Sequence, residues 1–180
     1  MTLKEMKEKV YRLIEEISDD ATKLTDDPDY EKKVNTCINM IQNELARIKK
    51  IPAKMEYDTN DGSMLQIQDE VYQIFRIPEC MFQIFGNEIH FDENYLGIVN
   101  IYYYKYPDQI TEKTKDNYEL ELTQDVLEIM PFGVAGDMLK SDPSTDYGAV
   151  YSNRYNELKM GIDPRNNAGI IYIDTSEALS

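Results

Sequence analysis

His90 is the only histidine in the chain. Ser-His-Asp and Cys-His nucleophilic sites and multi-histidine metal sites all need more imidazole than that, and His90 falls in a predicted strand. Cys37 and Cys80 are far apart in different kinds of segment, outside any C-x-x-C or Cys/His cluster. They read as two free thiols of a reducing compartment. Asp58-Thr59-Asn60-Asp61-Gly62 opens like a calcium loop, but its glycine comes one position early, Asp69 stands where the twelfth-position glutamate belongs, and helices do not flank it. A hairpin turn is the reading that remains. Gly133-Val134-Ala135-Gly136 lacks the Lys-Ser or Lys-Thr pair of a phosphate loop, and Asp137 would oppose a phosphate, so it reads as close helix packing. Asp69-Glu70 and Glu119/Glu121 are carboxylate pairs with the chemistry for acid-base work, yet 34 acidic residues produce such pairs by composition alone. These residues predict no catalytic, metal or cofactor site. A hydrolase would have to run on carboxylates alone.

Aromatic side chains are the other concentrated chemistry. Tyr102-Tyr103-Tyr104 and Tyr106 form the densest cluster, and strand alternation sends Tyr102, Tyr104 and Tyr106 to one face and Tyr103 to the other. Two readings stand, core packing or a partner surface. Tyr147, Val150, Tyr151, Tyr155 and Leu158 share one face of a predicted helix from Thr145 to Met160, so Tyr147, Tyr151 and Tyr155 join Tyr102, Tyr103 and Tyr104 as possible subunit-interface residues. Ile170-Ile171-Tyr172-Ile173 is a short apolar strand near the end of the sequence. It either adds to the sheet edge of another subunit or pairs back on its own domain.

The elements that position these residues follow from period and caps. Thr2-Leu3-Lys4-Glu5 is a capping box opening a helix to about Ile17, with Met6, Val10, Leu13, Ile14 and Ile17 on one stripe. Asp27-Pro28 opens a second, from Pro28 to Ile51, whose Val34, Ile38, Ile41, Leu45 and Ile48 make a seam able to pack on the first helix, on the C-terminal helices or on a neighbouring chain. Lys49-Lys50 complement its dipole and Pro52 stops it. From Met55 the period becomes two, in runs at 64–68, 71–77, 81–85, 88–91 and 98–104, with Asp61-Gly62 and Gly86-Asn87 as hairpin turns. Residues 107–116 read as a long loop. Helical pattern returns after Leu122, capped by Thr123 or Asp125, and is kinked or restarted by Pro131. The expected fold is α+β: an N-terminal helical hairpin (1–54), an inserted antiparallel β-sheet or sandwich (55–122), C-terminal helices packing on the hairpin (123–162) and a tail with a short strand (163–180).

Charge separates the same segments. The net charge is −15, yet residues 1–54 hold 11 basic and 11 acidic side chains, so the whole excess lies beyond residue 54. Such a surplus disfavours a polynucleotide reader or an anionic-membrane binder. No apolar run approaches the roughly 20 residues of a membrane span. Met1-Thr2-Leu3-Lys4-Glu5 lacks the apolar stretch of a secretory signal, and a soluble, unprocessed chain is expected.

The stretch from Val126 through Pro131-Phe132-Gly133-Val134-Ala135-Gly136-Asp137-Met138-Leu139-Lys140-Ser141-Asp142, followed by Asp146-Tyr147-Gly148 and Tyr151 to Tyr155, resembles the C-terminal part of head-tail connector, or neck adaptor, proteins of long-tailed bacteriophages. The similarity extends to the N-terminal helical pair, the Tyr-rich strand with Tyr106-Pro107, and Asp163-Pro164-Arg165; the central β-region departs from the simplest all-helical connectors. The resemblance implies a homo-oligomeric ring of about twelve copies in the virion neck, synthesised in the host bacterial cytoplasm. It implies a place beneath the portal protein, a C-terminal segment touching the portal or the next neck or tail-terminator ring, and DNA passing through without sequence-specific binding. The acidic surplus would then flank the channel. A β-sandwich binding module of a phage tail, recognising a ligand through Tyr102 to Tyr106, is the alternative, and Tyr103→Ala is the substitution the sequence suggests for separating the two.

Overall fold

In the computed structural model, which describes residues 1–16, 18, 24–140 and 146–163, the chain is α+β. Helix α1 spans Leu3–Leu13 under the expected capping box: Glu5 N donates to Thr2 Oγ1 (3.2 Å) and Thr2 N to Glu5 Oε2 (2.8 Å). It stops short of the expected Ile17, itself outside the described residues. Glu15 takes a left-handed φ of 59°, and Glu16 N closes on Tyr11 O at 2.9 Å, a Schellman-type termination without glycine. Helix α2 spans Pro28–Ile48, with Asp27 accepting from Asp29 N and Tyr30 N at 2.8 and 3.4 Å. It ends before the expected Ile51, because the residue preceding Pro52 is driven out of helical conformation. That residue instead opens strand β1, Ile51–Asp58. Pro52 is tolerated there because β1 is an edge strand.

The β-region continues as β2 Met64–Gln66, β3 Val71–Arg76, β4 Phe82–Phe85, β5 Glu88–Phe91 and β6 Ile98–Lys105. These strands form two antiparallel three-stranded sheets, β1-β6-β3 and β2-β5-β4. Gly86-Asn87 is the expected two-residue hairpin between β4 and β5, with Gly86 at φ 61°. Asp61-Gly62 is not a hairpin turn. Thr59–Asp61 forms a 3-10 turn that carries the chain from the first sheet into the second, and Thr59, 5% exposed, shares its hydroxyl proton between the carbonyls of Tyr95 and Gly97 (3.0 and 2.9 Å). The inner faces of the two sheets meet in one apolar cluster that includes Ile77, Ile89, Phe91, Val99, Ile101 and Tyr103. Tyr57 of one sheet stacks on Phe91 of the other at 5.4 Å.

A second, helical cluster gathers α1, α2, α3 (Gln124–Leu127), α4 (Met130–Leu139) and α5 (Tyr147–Met160). Pro131 stands in the first turn of α4, which restarts after a break at Glu128 and Ile129, the restart read from the sequence. Helix α4 lies at the centre, with eight of its ten residues buried, and both α1 and α2 pack along it, so the seam Val34–Ile48 finds its partner within the chain. The N-terminal helices therefore do not make a self-contained hairpin. An apolar helix, buried on all sides, takes the place each would have offered the other. The small residues at 133–136 permit this: a Cβ built on Gly136 lies 2.6 Å from Ser152 Oγ and 3.0 Å from Ser152 N of α5. Helix α5 departs from the expected face. Tyr155 is 5% exposed and packs against Gly133, but Tyr147 and Val150 are 62% and 55% exposed. The expected start at Thr145 is outside the described residues.

Residues 107–122, read as part of the β-region, pack by Ile110, Leu120 and Leu122 into the helical cluster, and β1 begins ahead of the 54/55 boundary. The loop is sewn to α2 by side chains acting as strand partners. Asn39 Nδ2 donates to Ile110 O and Asn39 Oδ1 accepts from Ile110 N, both at 2.8 Å, while Gln42 Nε2 donates to Asp108 O at 2.9 Å. Asn39→Ala removes both partners of a buried peptide group, at an expected cost of about 2 kcal/mol. Hydrogen exchange checks this directly, since the Ile110 amide should lose protection while α2 amides keep theirs.

Candidate functional site: an aromatic and cationic sheet face

Strand β6 is the centre of its sheet and alternates as expected: Val99, Ile101 and Tyr103 face the core, Asn100, Tyr102 and Tyr104 the outer side. Register brings the outer row against Pro52, Lys54 and Glu56 of β1, and Gln73 pairs with Tyr104 from β3. Irregularities after Val71 and Ile74 in the β3 pairing break strict alternation, and Phe75 reaches the same face. Phase differences of this kind come from bulges, which re-aim side chains. The result is a layer of rings: Phe75 stacks on Tyr104 with centroids 4.5 Å apart and lies 6.3 Å from Tyr102, and Tyr72 meets Tyr106 edge-on at 5.3 Å.

Cations from the end of α2 and from β1 border the rings. Lys50 Nζ lies 4.7 Å from the Tyr104 centroid and 5.9 Å from Tyr72, and also donates to Gln73 Oε1 (2.9 Å). Arg47 Cζ sits 5.9 Å from the Tyr106 centroid. These are cation–π distances. Lys50, read from sequence as a helix-dipole cation, is thus part of the aromatic face. Lys54 pairs with Glu56 at 3.0 Å, and that hydrogen bond holds its ammonium pKa above the ordinary value. At the border, Glu79 accepts from Asn100 N (3.1 Å) and Nδ2; burial pushes its carboxyl up, and the hydrogen bonds outweigh this and bring it below the usual range.

The remaining candidates are placed as follows. Tyr103, 5% exposed, belongs to the sheet core with its hydroxyl 3.4 Å from Glu70, and Tyr155 belongs to the helical core, so neither contributes to a surface. Tyr151 donates its hydroxyl to Leu13 O and so ties α5 to the end of α1. Tyr147 is exposed on α5, away from the sheet face in sequence and element. Only Tyr102 and Tyr104 of the six are half-exposed on the ring layer. Ile170, Ile171, Tyr172 and Ile173 lie outside the described residues. Sequence reasoning missed Tyr72, Phe75, Arg47 and Lys50; the first two were legible as aromatic residues in a period-two run, the last two were not.

The chemistry of this face is recognition. Exposed π-faces with adjacent ammonium and guanidinium groups accept apolar or planar surface and carboxylates together. Glu121, one of the paired carboxylates, is held by Lys105 at 2.5 Å and accepts from Asp108 N at 2.8 Å, a structural clasp that keeps Lys105 charged above its usual pKa despite partial burial. His90 is on the opposite sheet beside Glu88 at 3.2 Å. Among the described residues no group of three or more His, Cys, Asp or Glu is placed to hold a metal ion, and no helix is long and apolar enough to cross a membrane. Both cysteines are free thiols; burial raises their pKa values, with Asp137 adding to it at Cys37 and Glu79 at Cys80. Beside the rings, Arg47, Asp69, Glu70, Tyr106 and Asp108 line an open groove of about 560 Å³ in which the carboxylates outnumber the one guanidinium. Compared with protein-family models and with curated proteins, the chain finds no match in either.

Proposed function

We propose that the chain is a structural subunit of a phage virion, a ring-forming head-tail connector that docks beneath the portal and lets DNA pass. The observation that carries this reading is the half-exposed aromatic and cationic face of a sheet whose central strand is buried on its other side, since burying these five rings against a partner is favourable. Support also comes from the resemblance at residues 126–142, whose Gly133 and Gly136 sit where a Cβ would crowd residues of α5. The acidic excess beyond residue 54 suits a channel wall that repels a duplex. The alternative, a binding module of a phage tail, draws on the same face and the groove beside it.

Electron microscopy of the purified chain, with and without its portal, tests the proposal. Closed rings seated on the portal are expected, with the acidic residues of 55–180 toward the lumen. A chain that stays monomeric at high concentration and ignores the portal overturns the connector reading, and rings with a basic lumen overturn the channel.

A further inference from the structure

Sheet β1-β6-β3 is incomplete at β1. On β6 the core-facing Val99 and Ile101 are wholly buried, while Ala53, Met55 and Tyr57 of β1, which face the same core, are half-buried. The other side of β1 pairs with no described strand. Pro52 blocks pairing at the strand's start and leaves Ala53 to Asp58 open. The last described residue is held near the start of this strand. Lys49, with a side chain 6% exposed, donates from Nζ to Asp163 O at 3.0 Å, and Ile51 follows two residues later.

Seventeen further residues follow Asp163, among them Ile170-Ile171-Tyr172-Ile173 and then Asp174. The six residues 164–169 reach about 20 Å when extended, a spacer between Asp163 and the apolar run. We infer that Ile170 to Ile173 of one copy pairs with the free edge of β1 in the neighbouring copy, an inference that rests on the oligomeric reading above and names the contact between its subunits. A tail leaving Lys49 along its own β1 would run parallel to it. Parallel pairs are the weaker kind and belong in sheets covered on both faces, whereas this sheet has an open outer face and antiparallel neighbours throughout. A neighbouring copy can present β1 antiparallel. One set of alternate tail side chains then covers Ala53, Met55 and Tyr57, and Asp174 supplies a carboxylate for the exposed Lys54 edge.

Paired cysteines test this in the full chain, on a Cys37→Ser, Cys80→Ser background: Lys54→Cys with Ile171→Cys, and Lys54→Cys with Tyr172→Cys. Mild oxidation should give a reducible ladder of linked chains from one pair and little from the other, because adjacent strand positions face opposite ways. Ile171→Lys in the otherwise unchanged chain reads the same contact without touching the cysteines. It should weaken association between copies at least about tenfold with an unaltered circular dichroism spectrum. A cross-link within single chains, no cross-link from either pair, or a tail that links only to the portal overturns the inference. Rings without copy-to-copy links overturn it alone; links without closed rings keep it and overturn the ring.

Discussion

Tyr103→Ala should destabilise the protein by about 4 kcal/mol, comparable to other aromatic-to-alanine truncations in cores, while its neighbour Tyr104→Ala should cost about 1 kcal/mol and abolish assembly. The contrast follows from one residue of phase. Tyr103 points into the cluster shared by the two sheets and is 5% exposed, so its removal leaves a cavity in the cluster that also holds Ile77, Ile89, Phe91, Val99 and Ile101. The hydroxyl contact to Glu70 at 3.4 Å is lost with it. Tyr104 stacks on Phe75 and lies under Lys50, contacts made on an open face that water can refill. Chemical denaturation of both variants and sedimentation of both at matched concentration give the four numbers needed. Loss of ring formation in Tyr104→Ala with normal folding supports the connector; intact rings with loss of a small ligand or peptide would favour the binding module. Equal stability losses at the two positions would contradict the face assignment itself. Tyr103→Ala, the substitution suggested by sequence, cannot discriminate, because a buried residue reports on folding whatever the function.

Gly136→Val is expected to be the most damaging single change in the helical part, at about 3 kcal/mol, the upper range for overpacking a core. A Cβ at this position meets Ser152 Oγ at 2.6 Å, which a rotamer change could relieve, but also Ser152 N at 3.0 Å and Cα at 3.3 Å, which only a shift of α5 away from α4 relieves. Valine adds two methyl groups in the same crowded space. Because α4 is also the packing partner of α1 and α2, the displacement spreads through the helical cluster. Intrinsic propensity works the other way, since replacing a helical glycine usually gains up to about 1 kcal/mol for alanine. A thermal midpoint that falls sharply for valine and slightly for alanine would show the steric contribution. A midpoint unchanged by valine would mean that the helices do not cross where the structure puts them.

The helices and strands were legible because their signals are local. A capping box at Thr2 and Glu5, a proline at the first turn of α2 and period-two runs between Met64 and Tyr104 are read from neighbours in sequence, and each has its structural counterpart. Errors gathered where a residue's role depends on something distant. Asp61-Gly62 has turn chemistry, yet whether its flanking strands pair with each other or belong to different sheets depends on β5 and β6. The α1–α2 hairpin failed because its seams were equally suited to α4. Gln42, a polar residue at a buried helix position next to Ile41, was a visible irregularity whose partner, the Asp108 carbonyl, lies 66 residues away.

By itself the sequence determined the fold class, the alternation that sets Tyr103 against Tyr102 and Tyr104, the packing use of the 133–136 glycines and the confinement of the negative excess beyond residue 54. These depend on backbone period, side-chain volume and counting, which are properties of the chain. The tertiary structure alone decided that α4 is the centre of the helical part, that Arg47 and Lys50 lie against the tyrosines rather than merely ending a helix, and that the last described residue accepts a hydrogen bond from Lys49, two residues before an edge strand. Those depend on which of several compatible surfaces meet. Hydrophobic burial is non-directional and does not choose among them until the whole chain is packed.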